Sequence, residues 1–546
     1  MFKSSKIISN RLKYVNLVSN VARYGSDKVQ ICDVKSFEEI PGPRSYPIIG
    51  TLHKYAPFIG DYDVEKLDQN AWLNYRRYGS LVRETPGVNV LHVYDPEDIE
   101  TVFRQDHRFP ARRSHIAMYH YRMNKPDVYK TGGLLSTLRA TTENFPLTLP
   151  DPGIEPETPC PGSRTSDHSA NETVILNGEE WWRLRSTFQK NFTSPKSVKS
   201  HIESTEIVIR EFINWIKERN VSHNEDFLPY LNRWNLEVIG IVAFNERFRS
   251  FSPEEQDSTS RSSRTIDAAF GSNSGIMKLD KGFMWKIFET PVYKRLADSQ
   301  TYLEKVSKDI LYNRIHYFEQ PEDGDVSLLG SFLKQPNVDL KDVIGVMVDI
   351  LMAAIDTTAY STSFALYHIG RNPEVQQKMF EEICTLLPTK DTNITADILS
   401  KATYVRACIK ESLRLNPVSV GIGRLTQKDF VLRGYLIPKG TVIVTQNFVA
   451  SRMPQYVKDP LKFKPERWIR DSDGYENIHP FLSLPFGFGP RSCIARRLAE
   501  QNICMLLMRL IREFNVTWMG EELGIKTLLI NKPDKPVSLS FTSRIE

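Results

Sequence analysis

Between Asp342 and Ile369 the chain carries no lysine or arginine and, beyond Asp342 itself, only the acids Asp349 and Asp356. A segment so long and so evenly apolar has no polar face to offer water. It predicts a helix enclosed on all sides, with the rest of the molecule arranged around it. A chain of 546 residues, 40% hydrophobic and 25% charged, has enough material for such an enclosure. Pro41-Gly42-Pro43 and Pro47 mark a stiff entry into the folded body, where fixed φ and missing amide donors prevent helix. Leu81–Glu84 and Val90–Tyr94 alternate as strands do. Helical periodicity dominates from about Trp181 for nearly three hundred residues. Strand-like composition returns from Phe430 to Val449 around the turn Pro438-Lys439-Gly440, and helix resumes after Cys493. The expected fold class is mainly α with a minor β portion.

The formal net charge is +5, and Lys3, Lys6, Arg11, Lys13 and Arg23 all precede the first acid, Asp27. The remaining body is neutral and gives no reason to expect nucleic-acid binding. The basic, acid-free opening, roughly residues 1–30, reads as a mitochondrial transit peptide. It lacks both the apolar core of a secretory signal and the run of about 20 apolar residues that a membrane span needs. The alternative is a frayed, solvated terminus. Residues 31–546 then form the folded domain, interrupted at 137–175 by a segment with six prolines and no apolar periodicity. That composition cannot repay the entropy of ordering and predicts a disordered insertion. Its Asn171-Glu172-Thr173 matches a glycosylation triplet, which arises often by chance.

The six cysteines share no close spacing, which argues against a disulfide framework or a zinc cluster and fits a reducing compartment. Cys384, Cys408 and Cys504 read as ordinary buried thiols. Cys493 differs because it sits in PFGFGPRSCIARRLAE, after two glycines and before a helix-forming run. Backbone amides and the positive end of a helix dipole aimed at that sulfur favour a thiolate. Gly487 and Gly489 let the backbone approach a flat ligand, and Phe486 can shield the sulfur. In the apolar helix, Ala353 and Ala354 leave space while Asp356 and Thr357 offer an acid and a hydroxyl able to relay protons. The plain alternative for Thr357 is a hydroxyl bonded back to its own helix.

The segment around Cys493 resembles the haem-binding signature of the cytochrome P450 superfamily nearly throughout, departing only at Ala495, where the family most often has glycine. Three further pieces follow the family's order. Glu411-Ser412-Leu413-Arg414, then Pro465-Glu466-Arg467-Trp468 with the cysteine 26 residues after Arg467, are similar to the family's buried Glu/Arg/Arg network. Trp181 and Arg185, four apart on one helical face, resemble a pair that binds a haem propionate, with a core aromatic as the alternative for Trp181. Arg424 and Arg491 match two further propionate positions, a role suited to the planar fork of arginine. Asp356-Thr357 matches the family's acid–alcohol pair, and Ala354 stands where glycine is common. The resemblance implies the P450 fold, haem b held by Cys493 as axial ligand, and insertion of one oxygen atom from O2 into a C–H bond.

Within the superfamily the mitochondrial branch fits best. Arg406 and Lys410 are i,i+4 on the helix carrying Glu411, and Arg496-Arg497 follows the cysteine; the resemblance makes these the docking charges for an acidic ferredoxin, itself reduced by its reductase. A solvated basic face is the alternative. The stretches RSHIAMYHYR, ESLRLNPVSVGIGR and GIKTLLINKPD resemble insect mitochondrial P450s that hydroxylate ecdysteroid precursors at steroid carbon 22, in moulting-hormone biosynthesis on the matrix side of the inner membrane. Family position then lines a steroid pocket with Met347, Leu351 and Ala354, Val420 to Ile422, and Ile525 to Leu529. Phe283, Met284, Trp285, Ile287 and Phe288, with Lys278, Lys281 and Lys286 nearby, suggest peripheral contact with that membrane, core packing being the alternative. Two other functions stay open: a haem-thiolate isomerase or dehydratase, against which the acid–alcohol pair argues, and a haem-binding chain inactivated by the insertion.

Overall fold

The computed structural model describes residues 34–134 and 168–544, apart from 57, 113, 282–283, 319–326, 336–337 and 420. The expected transit segment lies outside these residues, as does 137–167 of the expected insertion. Helical backbone begins at His168 and runs to Thr193, so residues 168–175 are helical.

The apolar segment forms one helix, Leu340–Arg371, and Asp339 caps it by accepting a hydrogen bond from the Lys341 amide at 2.8 Å. By length and composition it could cross a membrane, but 78% of its most apolar stretch is buried inside the protein. It is the axis of the main core. Helices Leu228–Phe244, Arg261–Lys281 and Pro291–Phe318 pack along it, and Thr403–Leu415 and strand β7 (Phe514–Trp518) contact it as well. Helix Arg496–Glu513, which follows Cys493, buries almost all of its second half against Pro373–Leu386 and Thr403–Leu415.

The β portion is small, with two strands near the N-terminus and the rest from Ile422 onward. Strands β1 (Leu81–Glu84) and β2 (Val90–Val93) form a hairpin, and β2 pairs in parallel with the distant β6 (Val442–Thr445), which pairs antiparallel with β3 (Ile422–Leu425). Alternate residues of these strands bury Leu81, Leu91, Val93, Ile422 and Ile443 in a second core. The turn between β4 (Phe430–Leu432) and β5 (Tyr435–Ile437) is Arg433-Gly434, both left-handed at φ 47° and 79°, the geometry of a two-residue hairpin. Pro438-Lys439-Gly440, which the sequence marked as the turn, instead carries the chain from β5 to β6 in the other sheet.

The aromatic cluster near 285 divides. Trp285 is buried, stacked on Tyr293 with ring centroids 5.4 Å apart, and donates its indole N–H to the Leu279 carbonyl. Ile287 and Phe288 stay exposed, at 70% and 52%. A second exposed apolar run contains Ile48, Phe58 and Ile59. Glu65 pairs with Lys278 at 3.5 Å and with Lys526.

Candidate active site

Cys493 lies at the base of a loop closed by its own amide, which donates to the Phe486 carbonyl at 2.7 Å. Gly487 and Gly489 turn this loop at φ 74° and 69°, values that residues with a Cβ seldom adopt. A Cβ on either would meet no atom closer than 3.6 Å, so conformation rather than crowding within the protein demands glycine there. The Arg496 guanidinium lies 5.4 Å from the Phe486 ring centroid. Cys493 is deep within the mass of the protein and yet solvent-accessible, which places its sulfur on an interior cleft. Burial pushes its thiol pKa up, opposed by the Ala495 amide and by Arg185. The amide effect expected from the sequence is therefore present but outweighed; a metal cation at the sulfur would remove the proton outright.

The central helix forms another wall. Ala353, Thr357 and Ser361, spaced by four, keep accessible surface amid buried neighbours, as does Ala354. One face of an otherwise enclosed helix thus opens on interior space. Met347 and Leu351 have no accessible surface and belong to the main core, so they contribute packing rather than cleft surface. Ile422 and Ile525 are buried in the second and third cores, Leu529 is partly buried against the main one, and Val420 lies outside the described residues.

Four arginines converge beside the cysteine loop. Arg185 donates to the Ser492 carbonyl at 2.9 Å, Arg112 to the Arg491 carbonyl, and Arg491 to the Pro110 carbonyl at 2.8 Å. Arg424 donates to the Phe488 carbonyl at 2.9 Å and pairs with Asp106 at 2.8 Å. The Arg491 guanidinium stacks 3.4 Å from the centroid of the Trp181 ring, so the two residues that the sequence paired by spacing meet the same loop. Among the described residues Asp106 is the one carboxylate ion-paired with this group. Burial, then mutual repulsion, pulls Arg491 down to about 8 and Arg112 to about 9. Four cations facing one acid, three of them buried and Arg112 partly so, require further negative charge. A flat dianion with two carboxylates, such as haem, fits the arginines, the glycine turn and the thiol together.

Asp356 is buried, and Asn273 of helix Arg261–Lys281 donates to its Oδ2 at 3.2 Å and to the Met352 carbonyl at 2.9 Å. Burial raises Asp356 to about 6, so both protonation states are within reach near neutral pH. The Thr357 hydroxyl donates back to the Ala353 carbonyl at 2.7 Å, leaving its oxygen able to accept from the cleft side.

Glu411, Arg414 and Arg467 come together, all fully buried. Arg414 grips Glu411 through two bonds of 2.9 and 2.8 Å, and Arg467 Nε, Trp468 Nε1 and the Lys464 amide add three more. On the outer surface Arg406, Lys410, Arg496 and Arg497 are exposed. Arg406 donates to the Leu399 and Ser400 carbonyls, Arg496 pairs with Glu500, and Arg497 donates to the Thr193 carbonyl.

Sequence reasoning missed Asp106, Arg112 and Asn273. Each is an ordinary polar residue in its own segment, and only the long-range contacts give it a place. Among the described residues no group of three or more His, Cys, Asp or Glu side chains could hold a bare metal ion.

A family model described as cytochrome P450 matches residues 155–541. The chain is 42% identical over 520 residues, 94% of its length and 96% of the relative's, to cytochrome P450 302a1, mitochondrial, of Drosophila melanogaster. It is 29% identical over 536 residues to the probable cytochrome P450 12a5, mitochondrial, of the same organism, covering 93% of this chain and 91% of that one. It is 32% identical over 389 residues to cytochrome P450 CYP12A2 of Musca domestica, covering 67% and 72%. With an accessible thiol, an arginine cradle beside its loop and an accessible face on the central helix, the chain belongs to the cytochrome P450 family: a monooxygenase whose cofactor is haem b.

Proposed function

We propose that this monooxygenase hydroxylates a steroid, an ecdysteroid precursor at carbon 22, in the mitochondrion on the matrix side of the inner membrane. The observation that carries the reading is full-length likeness, 42% identity, to an insect P450 named as mitochondrial. The stretches similar to insect ecdysteroid hydroxylases supply the substrate class. Cys493 would bind the haem iron through its sulfur, and Arg185, Arg424 and Arg491, with Trp181 behind Arg491, would hold the propionates. Phe486 covers the sulfur. Haem supplies oxygen activation and transfer of one oxygen atom to an unactivated C–H bond.

The chain's own work is positioning and proton supply. Asp356, held at one oxygen by Asn273, carries protons inward, and Thr357 Oγ passes them to the cleft. Thr357→Ala should lower product formed per O2 consumed by about tenfold or more, with peroxide released instead. Simultaneous oxygen-electrode and product assays decide it; unchanged coupling removes the relay role. Electrons come from an acidic mitochondrial ferredoxin steered by Arg406, Lys410, Arg496 and Arg497, with exposed Lys196 and Lys199 extending the same face beside Thr193. The reading is tested by reconstitution with mitochondrial ferredoxin and its reductase on a panel of steroids. Turnover of non-steroids alone would overturn it. Exposed Ile287 and Phe288 form the peripheral membrane contact; Trp285 does not.

The insertion 137–175 is tolerated within the catalytic domain. The Leu134 amide donates to Asp349 at 2.6 Å, and Arg183 pairs with Asp342 at 2.9 Å. Both flanks are thus fastened to the central helix at points seven residues, or about 10 Å, apart. Neither fastening involves the insertion. Deleting 137–167, which leaves the helix from His168 whole, should leave haem occupancy and turnover within about twofold of the full chain, since loop length changes closure entropy only slowly. A lost absorption spectrum on deletion would refute this.

A further inference from the structure

His115 has no part in the chemistry above. It precedes helix Ile116–Met123 in the left-handed conformation, φ 63° and ψ 30°, which a residue with a Cβ keeps only when its surroundings hold it there. The hold comes from Asp280, whose carboxylate accepts from the His115 amide at 2.7 Å and the Ile116 amide at 2.8 Å. The imidazole is fixed as well, with Nδ1 2.7 Å from Ser114 Oγ. Nε2 has no hydrogen-bond partner among the described residues. The side chain is enclosed by protein and yet partly accessible, as Cys493 and Arg112 are. Burial first, then the nearby guanidinium groups of Arg112 and Arg122, keeps the ring neutral, pulled down to about 3. Those neighbours also locate it. Arg112 bonds the loop two residues before Cys493, and Arg122 is ion-paired with Asp349 on the central helix at 2.8 Å.

We propose that His115 is a specificity-determining residue, whose Nε2 hydrogen-bonds an oxygen substituent, hydroxyl or keto, of the substrate in the cleft. The inference rests on the steroid reading and deepens it by assigning a polar anchor on a mostly apolar ligand. A neutral imidazole with one nitrogen committed to a hydroxyl suits this task. Through tautomer choice it can donate to a ketone or accept from an alcohol. A site that bonds a substrate oxygen discriminates against the analogue lacking it, because the buried nitrogen is then left unpaired.

The test uses haem-loaded full chain titrated with an ecdysteroid lacking the carbon-22 hydroxyl and with analogues of it lacking one hydroxyl or keto oxygen at a time, read by the ligand-induced shift in haem absorption. Wild type should bind one analogue about three- to tenfold more weakly than its parent. That ratio should fall to near one in His115→Leu and in His115→Asn, which tolerates the left-handed backbone but cannot reach. It should persist in His115→Gln, which keeps a polar atom near the position of Nε2. If the ratio is the same in all four proteins, or if each variant weakens every steroid equally, His115 only shapes the backbone and the proposal is wrong. If wild type binds no steroid at all, the substrate reading itself falls and takes this inference with it.

Discussion

Exchange of Cys493 for serine should remove the thiolate-type absorption band of the reduced carbon monoxide complex and bring turnover to background. The rest of the chain should keep its fold, because Cys493 contributes accessible surface rather than core packing. The loop around it is closed by backbone, through the 2.7 Å bond from residue 493 to the Phe486 carbonyl, and serine can repeat that bond. What serine cannot repeat is a soft, electron-donating ligand. Far-ultraviolet circular dichroism should therefore match the parent protein while the carbon monoxide spectrum does not. An unaltered pigment in the serine variant would overturn the assignment of the iron ligand and every role derived from it.

Glu411→Ala is expected to destabilise the fold by roughly 3–5 kcal/mol, a large share of the stability of an ordinary domain. Glu411 accepts five hydrogen bonds and neutralises two arginines that have no exposed surface of their own. Arg467 would still reach Glu476, and Arg414 would still reach the Ser451 and Pro460 carbonyls, but the central negative charge would be gone. Burial opposes ionisation of Glu411, yet Arg414 and Arg467 more than offset it and hold the carboxyl below its usual range. The stabilisation is thus fully present above the ordinary glutamate pKa and is lost only as pH falls through the lowered one. The urea midpoint at neutral pH is the deciding measurement. A shift equivalent to less than about 1 kcal/mol would show that the network is not what braces this core.

Legibility in the sequence followed the range of the interactions. The central helix, β1, β2 and the helix after Cys493 are set by local periodicity, and the structure has them within a few residues of where the pattern put them. Glu411 and Arg467 were readable only through resemblance to the family's motifs, since spacing by itself offers no more than an ordinary i,i+3 pair on a helix face. The arginine group was readable in part: Arg185, Arg424 and Arg491 were expected, but Arg112 joins them from a segment 379 residues away from Arg491 in sequence. Asn273 is hidden for the same reason, since nothing in its own helix points to Asp356 83 residues later. The hairpin at Arg433-Gly434 was passed over because the proline-glycine signal five residues on looked stronger. Trp285 and Ile287 were grouped by composition, and only the packing of Tyr293 against one of them separates an anchor of the core from surface.

The convergence of Arg112, Arg185, Arg424 and Arg491 bears on how the enzyme is assembled. Like charges confined at close quarters store repulsion that a polyvalent anion relieves, so capture of the prosthetic group and consolidation of the surrounding polypeptide are thermodynamically linked. Melting temperature should rise with porphyrin occupancy, and limited proteolysis near Arg112 should slow as the pigment is taken up.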